Sequence, residues 1–574
     1  MKRCPECRRD YFDDSLLYCL DDGSALLEGP ATAGASDGPR TQVFPDAESP
    51  SASEAKTRHQ LHTTADAGAT SSARSFDKRW LLIPFGLALI VAAVGGYRYF
   101  TSPDTRQIES IAVMPFINDS GNADVDYLSD GMTEMLINSL SQVPNLKVKA
   151  RSSVFRYKGK EIDPKKIAPE LNVQAIVNGH LIQRGDQLSL NLELVDGATE
   201  TIIWGNKYER KLADLVALQS EVARDVSAKL KSKISGASEK QVTKEYTSDP
   251  EAYQLYLKGI YHWNKRTGDE LKQAISLFQQ AIDKDPGYAK AYGGLAMAYE
   301  VYGANTASTK QEISEMAIRA KAAAVKALEM DNDLPEAHAV IAERKIDDEW
   351  DFAGSEASYQ KAIELNPNFA SAHQWYSEVL SRVGRSDEAL AEIKKAYEID
   401  PFSRAVNQNL GLRLLEMHRN DEAQAQFEKL IQSEPDYPMA YGFLSGIYAD
   451  KGEFEKSFEP ACKAEVLLKI ETTESCDKKI VEMRKAVKDG GPNGFWRYIL
   501  GDEIKKYERG IGSPIAIAGV YAKLGESDKA FEWLEKGFTE RSVDITYLKV
   551  DTSFDNVRSD PRFEAMLRRI GLPV

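Results

Sequence analysis

Residues 370–401 read ASAHQWYSEVLSRVGRSDEALAEIKKAYEIDP, and this stretch decides the fold of most of the chain. Apolar residues recur at helical spacing in two segments, with Gly384 between them. Small residues such as Ala389 and Ala396 let paired helices approach closely, and Pro401 stops the second helix. The stretch therefore predicts two antiparallel helices that pack against each other.

The same pattern recurs along the chain. Pro367, Pro401 and Pro435 follow one another at intervals of 34 residues, since 401 − 367 = 34 and 435 − 401 = 34. That period is typical of tetratricopeptide repeats, in which each repeat is a pair of helices. We therefore expect an all-α tetratricopeptide solenoid over residues 249–480, and a further repeat with C-terminal capping helices over residues 481–574.

Stacked repeats leave a concave groove that is lined by the first helix of each repeat. The residues that the repeat geometry places in this groove are acids, bases and amides: Arg344, Asp347, Asp348, Gln374, Glu378, Arg382, Gln408 and Glu416. Such a mixture suits polar peptide recognition, so we expect proteins or peptides as partners. The alternative is that each of these residues is solvated surface.

Between residues 109 and 230 the periodicity is mixed. SIAVMPF and NLKVKA read as short strands, and each is followed by a segment with helical spacing. Three alternating runs come next, VQAIVNGHLIQ, QLSLNLELVD and TIIWGNKYER, with a tight turn at Gly185 and Asp186. A helix is predicted from Lys211 to about Lys231. This order predicts an α/β sandwich-type domain, in which helices pack on a mixed sheet.

These segments, in this order, resemble a known family. IAVMPF, YLSDGMTEMLINSLS, ARSSVFRYKGK and VNGHLIQRGDQLSLNLELVDGATETIIWGNKYER look like the TolB-type amino-terminal domain, also found in FlgO-like flagellar proteins. The resemblance covers residues 107–232 and implies a non-catalytic, envelope-facing module without catalytic residues. Asp130, Glu134 and His180 could suggest an active site, but we favour their interpretation as solvated or capping polar groups.

Residues 80–100 read WLLIPFGLALIVAAVGGYRYF and carry no charge from Trp80 to Tyr97. Those 18 residues would span about 27 Å as a helix, close to the thickness of a bilayer core. We expect one transmembrane helix here; a signal peptide, for which the segment begins too far along the chain, and a buried core helix are the alternatives. Residues 28–79 are small and polar, and are predicted to be a disordered linker.

The charges around this segment favour one orientation. Arg58, Arg74, Lys78 and Arg79 precede it, and fewer basic residues follow closely. This bias favours a cytoplasmic N terminus. Thiolate metal ligands survive best in a reducing compartment, which favours the same orientation. We therefore expect an inner-membrane protein whose C-terminal domains are periplasmic or otherwise extracytoplasmic.

The chain begins MKRCPECRRDYFDDSLLYCLDDG, and this segment holds three of the five cysteines. The spacing C-x2-C-x11-C-x2-D predicts that Cys4, Cys7, Cys19 and Asp22 bind one structural zinc, with Asp21 as an alternative to Asp22. Residues 1–27 resemble the short zinc ribbons at the N terminus of many bacterial membrane proteins, although a full ribbon has four cysteines. A cysteine-bearing tail without metal is the alternative.

Two further cysteines, Cys462 and Cys476, lie near the end of the predicted repeats. Measured from a turn centred near Thr472, they differ by 10 − 4 = 6 residues, or roughly 9 Å along antiparallel helices. A disulfide tolerates Cα separations up to about 7 Å, so we expect two free thiols, although an oxidising compartment would favour a bridge. Between about Lys479 and Ser513 the repeat pattern fades, which predicts an irregular connection.

The sequence argues against several function classes. A net charge of −15 and a pI of about 5.2 do not suit a nucleic-acid surface. The chain has no H-E-x-x-H, G-x-S-x-G, phosphate-loop or dinucleotide-binding motif, so we expect neither an enzyme nor a small-molecule substrate.

Two functions remain. The first is a membrane-anchored, non-catalytic scaffold of the bacterial envelope, and the second is a transmembrane signalling component that relays an envelope signal to the zinc knuckle. The second follows from resemblance, because TolB-like domains with such repeats also occur downstream of DNA-binding domains, cyclases and kinases. No such output domain is evident in this sequence, so the scaffold is favoured.

Overall fold

The computed structural model of the chain describes residues 2–3, 10–11, 27–28, 108–230, 244–306, 309–510 and 512–574. It divides into two compact units, residues 1–101 and residues 102–574. In the first unit an antiparallel sheet has its first strand in the centre, and its strands are β1 Lys2–Arg3, β2 Asp10–Tyr11 and β3 Leu27–Glu28.

The predicted zinc ligands and the predicted membrane span at residues 80–100 lie outside the described residues, as does nearly all of the predicted linker at residues 28–79. No helix among the residues that the structure describes is long and apolar enough to cross a bilayer. Nor do the described residues contain a cluster of His, Cys, Asp or Glu side chains suited to a metal ion.

The second unit begins with a mixed sheet. Its strands are β4 Ser110–Val113, β5 Ile117–Asn118, β6 Lys147–Val148, β7 Ala175–Arg184, β8 Gln187–Asp196 and β9 Ile202–Lys211. The spatial order is β6-β4-β7-β8-β9, with β5 also paired to β7. The pairs of β4 with β6 and β7 are parallel, whereas β7, β8 and β9 form an antiparallel meander. The predicted mixed sheet is thus confirmed.

Side-chain alternation fixes which face of the sheet is buried. Leu188, Leu190, Leu192 and Leu194 of β8 are all buried, because residues two apart lie on the same face of a strand. The helices that accompany the sheet are α1 Asp126–Ser141, α2 Arg151–Phe155, α3 Pro164–Leu171 and α4 Leu215–Lys229. The buried faces of α1 and α4 share one core with these leucines.

Helix pairs of the predicted tetratricopeptide type follow, which confirms the helical repeat region. The pairs are α5 Pro250–Trp263 with α6 Gly268–Lys284, α7 Ala289–Asn305 with α8 Lys310–Met330, α9 Pro335–Arg344 with α10 Phe352–Leu365, α11 Ala370–Arg382 with α12 Ser386–Ile399, α13 Arg404–Glu416 with α14 Asn420–Ser433, and α15 Pro438–Asp450 with α16 Phe454–Leu467. A π-helical turn, Lys345–Glu349, extends α9.

The predicted irregular connection between residues 479 and 513 is wrong. A helical segment, α17 Thr473–Glu508, occupies most of it and is kinked at Gly491, where φ is 58° and ψ is −145°. Only glycine adopts that conformation readily, and Pro492 lacks the amide hydrogen that would continue the first half. The pattern fades because these two half-helices do not follow the 34-residue spacing.

The prediction of two free thiols is also wrong. Cys462 and Cys476 form a disulfide, with their Cα atoms 5.5 Å apart. Helix α16 ends at Leu467 and α17 begins at Thr473, so the cysteines lie 467 − 462 = 5 and 476 − 473 = 3 residues from their helix ends. The offset is therefore about 3 Å. The error came from centring the turn too close to Cys476.

The C-terminal segment folds back onto the middle repeats. It contains α18 Pro514–Lys523, α19 Ser527–Thr539, two 3-10 turns at Val543–Tyr547 and Thr552–Val557, and α20 Pro561–Ile570. Its buried Phe554, Phe563 and Leu567 share a core with Ile346 and Leu380 of the third and fourth repeats. Helix α20, predicted as a cap on the last repeat, therefore also covers earlier repeats.

The sheet domain is fixed to the repeats by the turns that join successive repeats. The Asn368 side chain accepts a hydrogen bond from Val148 N (3.1 Å), and donates to the carbonyl oxygens of Ser141 (3.0 Å) and Leu146 (2.8 Å). One repeat later, Asp400 accepts from the Ser153 hydroxyl at 2.9 Å. Two equivalent turns thus hold the same edge of the sheet domain.

Helix packing completes this interface. Helix α1 lies against α5, and Gly131 faces Leu257 so closely that a Cβ atom on the glycine would come within 3.1 Å of the leucine side chain. The sheet domain and the first repeats consequently share one continuous hydrophobic core. They form a single folded unit.

Candidate functional site

The predicted groove residues of the third repeat form a buried ion cluster. Arg344 Nη2 lies 2.9 Å from Glu300 Oε1 and 3.0 Å from Asp347 Oδ2, and Arg344 Nη1 lies 3.2 Å from Asp348 Oδ1. The side chains of Arg344 and Glu300 are each 9% exposed. The guanidinium therefore offsets three carboxylates within the protein itself.

The C-terminal segment places a tyrosine on the groove residues of the fourth repeat. Arg382 Nη2 donates to the Tyr547 hydroxyl at 2.6 Å, and that hydroxyl donates to Glu378 Oε2 at 3.1 Å. The Arg382 Cζ atom lies 4.2 Å from the centre of the Tyr547 ring, and Arg382 Nη1 lies 3.4 Å from Asp347 Oδ1. The groove is filled by the chain's own C-terminal segment at this point.

The remaining predicted groove residues also make internal contacts. Gln374 Nε2 donates to Glu378 Oε1 at 3.3 Å. Glu416 accepts from Arg413 at 2.7 Å and from the Ser381 hydroxyl. Gln408 accepts from the Tyr437 hydroxyl at 2.5 Å. Whether any of these side chains contacts a partner stays a prediction.

Solvated surface, the alternative interpretation, is wrong for Arg344, Gln374 and Arg382, because all three are buried. The repeat period brings equivalent positions onto one wall, since Asp348, Arg382 and Glu416 are separated by 34 residues each. It gives no signal for Tyr547, which lies outside the repeats, so sequence reasoning missed that residue.

Sequence reasoning also missed two acids behind the cluster. Burial raises the pKa of Glu343 to about 8, and it raises the pKa of Glu300 to about 7. The Tyr359 hydroxyl donates to Glu343. These carboxyl groups therefore take up protons near neutral pH more readily than exposed ones. Glu343 adjoins Arg344 in the sequence, which is the signal that could have found it.

An open cleft remains beside the filled part of the groove. It has a volume of about 940 Å³ and lies between α7, α8, the end of α9 and residues 540–544. Ile313 and Ile318 of α8 and Val543 line it and are 46%, 68% and 42% exposed. The buried Arg344 cluster forms part of its wall. This cleft can accept apolar side chains of another molecule.

Two acidic residues of the sheet domain lie beside basic side chains. Asp130 is buried and accepts from Lys158 Nζ at 2.7 Å, and Glu134 is buried with its Oε2 atom 3.1 Å from Arg151 Nε. The expectation that both are solvated or capping groups is therefore wrong. His180 is exposed, with its Nδ1 atom 2.8 Å from Asp119 Oδ2.

Comparison with protein families supports the predicted repeats. For the sheet domain, it gives a different family model from the one that the sequence resembles. Residues 358–391 and 409–468 match two models described as tetratricopeptide repeats. Residues 106–224 match a model described as the second domain of HilA/YgeH-like transcriptional regulators. The resemblance to the TolB-type, FlgO-like domain stays a hypothesis.

One curated relative is named putative adenylate cyclase 3, from Rhizobium meliloti (strain 1021). It is 35% identical over 191 residues, which are 33% of this chain and 32% of the relative. The chain thus spans about a third of the length of the curated relative that it matches.

Several solved structures cover parts of the chain at low identity. TTC0263, a tetratricopeptide repeat protein of Thermus thermophilus, is 18% identical with a TM-score of 0.28, covering 34% of this chain and 98% of its own. PilF of Pseudomonas aeruginosa is 21% identical with a TM-score of 0.27, covering 46% of this chain and 97% of its own. Human IFIT1 is 15% identical with a TM-score of 0.35, covering 73% of this chain and 95% of its own.

Proposed function

We propose that this protein is a non-catalytic scaffold that binds partner proteins, and that the open cleft beside α8 receives the partner. Tetratricopeptide repeats generally bind proteins or peptides along their concave surface. Here Tyr547 and the C-terminal segment fill the concave surface at the fourth repeat. The cleft between α7, α8 and residues 540–544 is open beside it. The exposed isoleucines in this cleft are the observation that carries the proposal.

The cleft favours a partner segment that is apolar with basic residues beside it. Ile313, Ile318 and Val543 offer apolar surface, and exposed apolar groups in a concave site are typical of peptide anchors. Asp544 at the rim is exposed and acidic. The chain as a whole is acidic, with a net charge of −15. A basic flank would be attracted to this rim.

We expect Ile318→Asp to weaken peptide binding at least tenfold, because it places a charge where an apolar anchor would be desolvated. Peptides would first be selected from a random display library on the immobilised full chain. Their affinities would then be measured by fluorescence anisotropy with the wild type and the variant.

Val481→Asp is the matched control, since Val481 on α17 is 63% exposed and lies outside the cleft. It should leave peptide affinity unchanged. Equal affinity for wild type and Ile318→Asp would place the binding surface elsewhere and overturn the assignment of the cleft.

We further propose that residues 80–100 anchor the scaffold in the inner membrane of a bacterium, with an extracytoplasmic repeat region. The uncharged length of this segment and its aromatic ends support anchoring. The basic residues before it support a cytoplasmic N terminus. The Cys462–Cys476 disulfide supports an oxidising compartment for the repeats.

Reporter fusions test this topology. A phosphatase or fluorescent reporter inserted at Glu28 should report the cytoplasm, whereas one inserted at Gly236 should report the opposite side of the membrane. The two fusions are compared at equal expression, so each one is the control for the other. Two cytoplasmic readings would refute the anchor.

We also propose that Cys4, Cys7, Cys19 and Asp22 hold one structural zinc, because three thiolates and a carboxylate are an accepted zinc ligand set. Elemental analysis of the purified full chain should give about one zinc per chain, and Cys7→Ser should reduce it sharply. Cys476→Ser, which alters a cysteine outside this segment, is the control. Zinc-free protein that is indifferent to chelators would exclude the site.

A regulatory role is the second candidate. The match of residues 106–224 to a transcriptional-regulator domain model, and of 191 residues to a relative named a putative adenylate cyclase, favours it. In that case the sheet domain and repeats would sense a signal and residues 1–27 would relay it. Pull-downs from membranes with the full chain and with a chain lacking residues 1–27 separate the two functions. Signalling, unlike scaffolding, requires a partner that binds residues 1–27, and the shortened chain would fail to capture it.

A further inference from the structure

The last strand of the mixed sheet, β9, has a free edge. It stands at the end of the strand order β6-β4-β7-β8-β9, and no strand among the described residues pairs with its outer side. Most of its residues are exposed, including Ile202 (57%) and Ile203 (44%). A long, exposed edge strand is a template on which another strand can pair.

Strand pairing fixes which backbone groups of β9 point outward. A two-residue turn joins β7 to β8, so Gln187, which closes this turn, directs its backbone groups towards β7. Successive residues along β8 direct their backbone groups to opposite edges. Leu190, an odd number of residues after Gln187, is therefore directed towards β9, where it pairs with Tyr208. The backbone groups of Lys207 and Glu209, on either side of Tyr208, consequently point away from β8.

Side-chain hydrogen bonds agree with this assignment. The Lys207 amide donates to Oδ1 of Asn206 at 3.0 Å, and the Glu209 carbonyl accepts from Nη1 of Arg210 at 2.8 Å. Each bond joins neighbours within β9, as expected of backbone groups that β8 does not use. Both groups can exchange these local partners for a strand that lies along the edge.

The two faces of β9 carry different side chains. Tyr208 is buried on the core face, and its hydroxyl donates to Asp225 of α4 at 2.8 Å. Lys207 and Glu209 lie on the opposite face, because neighbouring residues of a strand alternate. Lys207 Nζ lies 2.6 Å from Glu209 Oε1, and the two side chains are 58% and 68% exposed. The free edge therefore has an exposed cation on one side of Tyr208 and an exposed anion on the other.

These two charges select the strand that can pair here. Exposed charges on an edge strand usually discourage pairing. A second β9 that lies antiparallel, with the two-fold axis at Tyr208, places Lys207 of each copy opposite Glu209 of the other, and opposite charges in facing positions stabilise a sheet. Both residues point their backbone groups outward, as a hydrogen-bonded pair requires. An axis at Lys207 or at Glu209 would instead put like charges opposite each other.

We propose that two copies of this chain pair through β9, antiparallel and with the two-fold axis at Tyr208, so that one sheet runs through both sheet domains. Two-fold pairing of identical edges is self-complementary and closed. In this register the exposed Ile202 and Ile203 lie beside the 3-10 turn Leu212–Asp214 of the second copy, which shields apolar surface from water. The dimer shares no residue with the cleft beside α8 and does not depend on it.

Energy transfer between labelled copies of the purified full chain tests the dimer. Copies that carry a donor or an acceptor dye at the N terminus are mixed at increasing concentration, with detergent micelles in excess over protein. The wild type should show energy transfer that rises with concentration and then saturates. No energy transfer at concentrations up to about 100 µM would overturn the proposal.

Charge reversal tests the register. Lys207→Glu puts acids opposite each other across the edge and Glu209→Lys puts bases there, so each variant alone should dimerise about tenfold more weakly. Mixing donor-labelled Lys207→Glu with acceptor-labelled Glu209→Lys again places opposite charges across the edge, and the affinity should return to within about threefold of the wild type. Lys326→Glu on α8, where Lys326 is exposed and pairs with Glu329, is the matched control and should not change the affinity. Single variants that dimerise like the wild type, or a mixture that stays weak, would refute pairing through β9.

Discussion

Replacing Arg382 with methionine should destabilise the repeat region by about 3–5 kcal/mol, the cost of removing one partner from a buried ion pair. Arg382 is 3% exposed and contacts Asp347 and the Tyr547 hydroxyl, which in turn contacts Glu378. Methionine fills much of the space but leaves both carboxylates without this cation. Chemical denaturation of the full chain, followed by helical circular dichroism, measures the change.

Arg385→Met is the matched control. Arg385 lies three residues further along and pairs with Glu356 and Glu388, but its side chain is 39% exposed. Water screens such pairs, so its loss should cost less than about 1 kcal/mol. If the two variants cost the same, the Arg382 cluster is not buried in solution and the C-terminal segment does not fill the groove.

Asn368→Ala should destabilise the docking of the sheet domain by about 3 kcal/mol, because the side chain makes three hydrogen bonds across the interface. Each is worth about 1 kcal/mol, with a further penalty for backbone groups left unpaired. Hydrogen–deuterium exchange gives the most direct readout. The Val148 amide, which donates to Asn368, should lose protection while amides in the centre of β8 keep theirs.

The control is Asn332→Ala, in the turn one repeat earlier. Asn332 is exposed, so its side chain contributes little to the interface, and exchange at Val148 should not change. Protection at Val148 that survives Asn368→Ala would mean that helix packing between α1 and α5 alone holds the domain. In that case the turn contacts would contribute little to the stability of the interface.

The two predictions concern one property of the molecule, the way its ends are held to its middle. The sheet domain is fixed to the turns at Asn368 and Asp400, and the C-terminal segment is fixed to the groove at Arg382. Both attachments restrict which part of the repeat surface a partner can reach. The open cleft beside α8 is one part of that surface that neither attachment covers.

Local patterns in the sequence were enough to predict the two main folds. The 34-residue spacing of Pro367, Pro401 and Pro435 predicted paired helices, because proline and small residues act on neighbours within one or two turns. Alternation in QLSLNLELVD predicted a strand for the same reason, since period 2 is a property of the strand itself. The half-helices around Gly491 were missed because they break the period while remaining helical.

Contacts between distant parts of the chain were decided only by the tertiary structure. Tyr547 meets Arg382 across 165 residues, and Asn368 meets Val148 across 220, and neither pair has a periodic signature. The Cys462–Cys476 pairing depended on where two helices end. An error of a few residues in a helix end changes the offset between the two cysteines by several ångströms. The sequence by itself therefore determined the elements and their type, because those depend on near neighbours. The filled groove and the open cleft arise where elements pack, and packing depends on the shape of the whole chain.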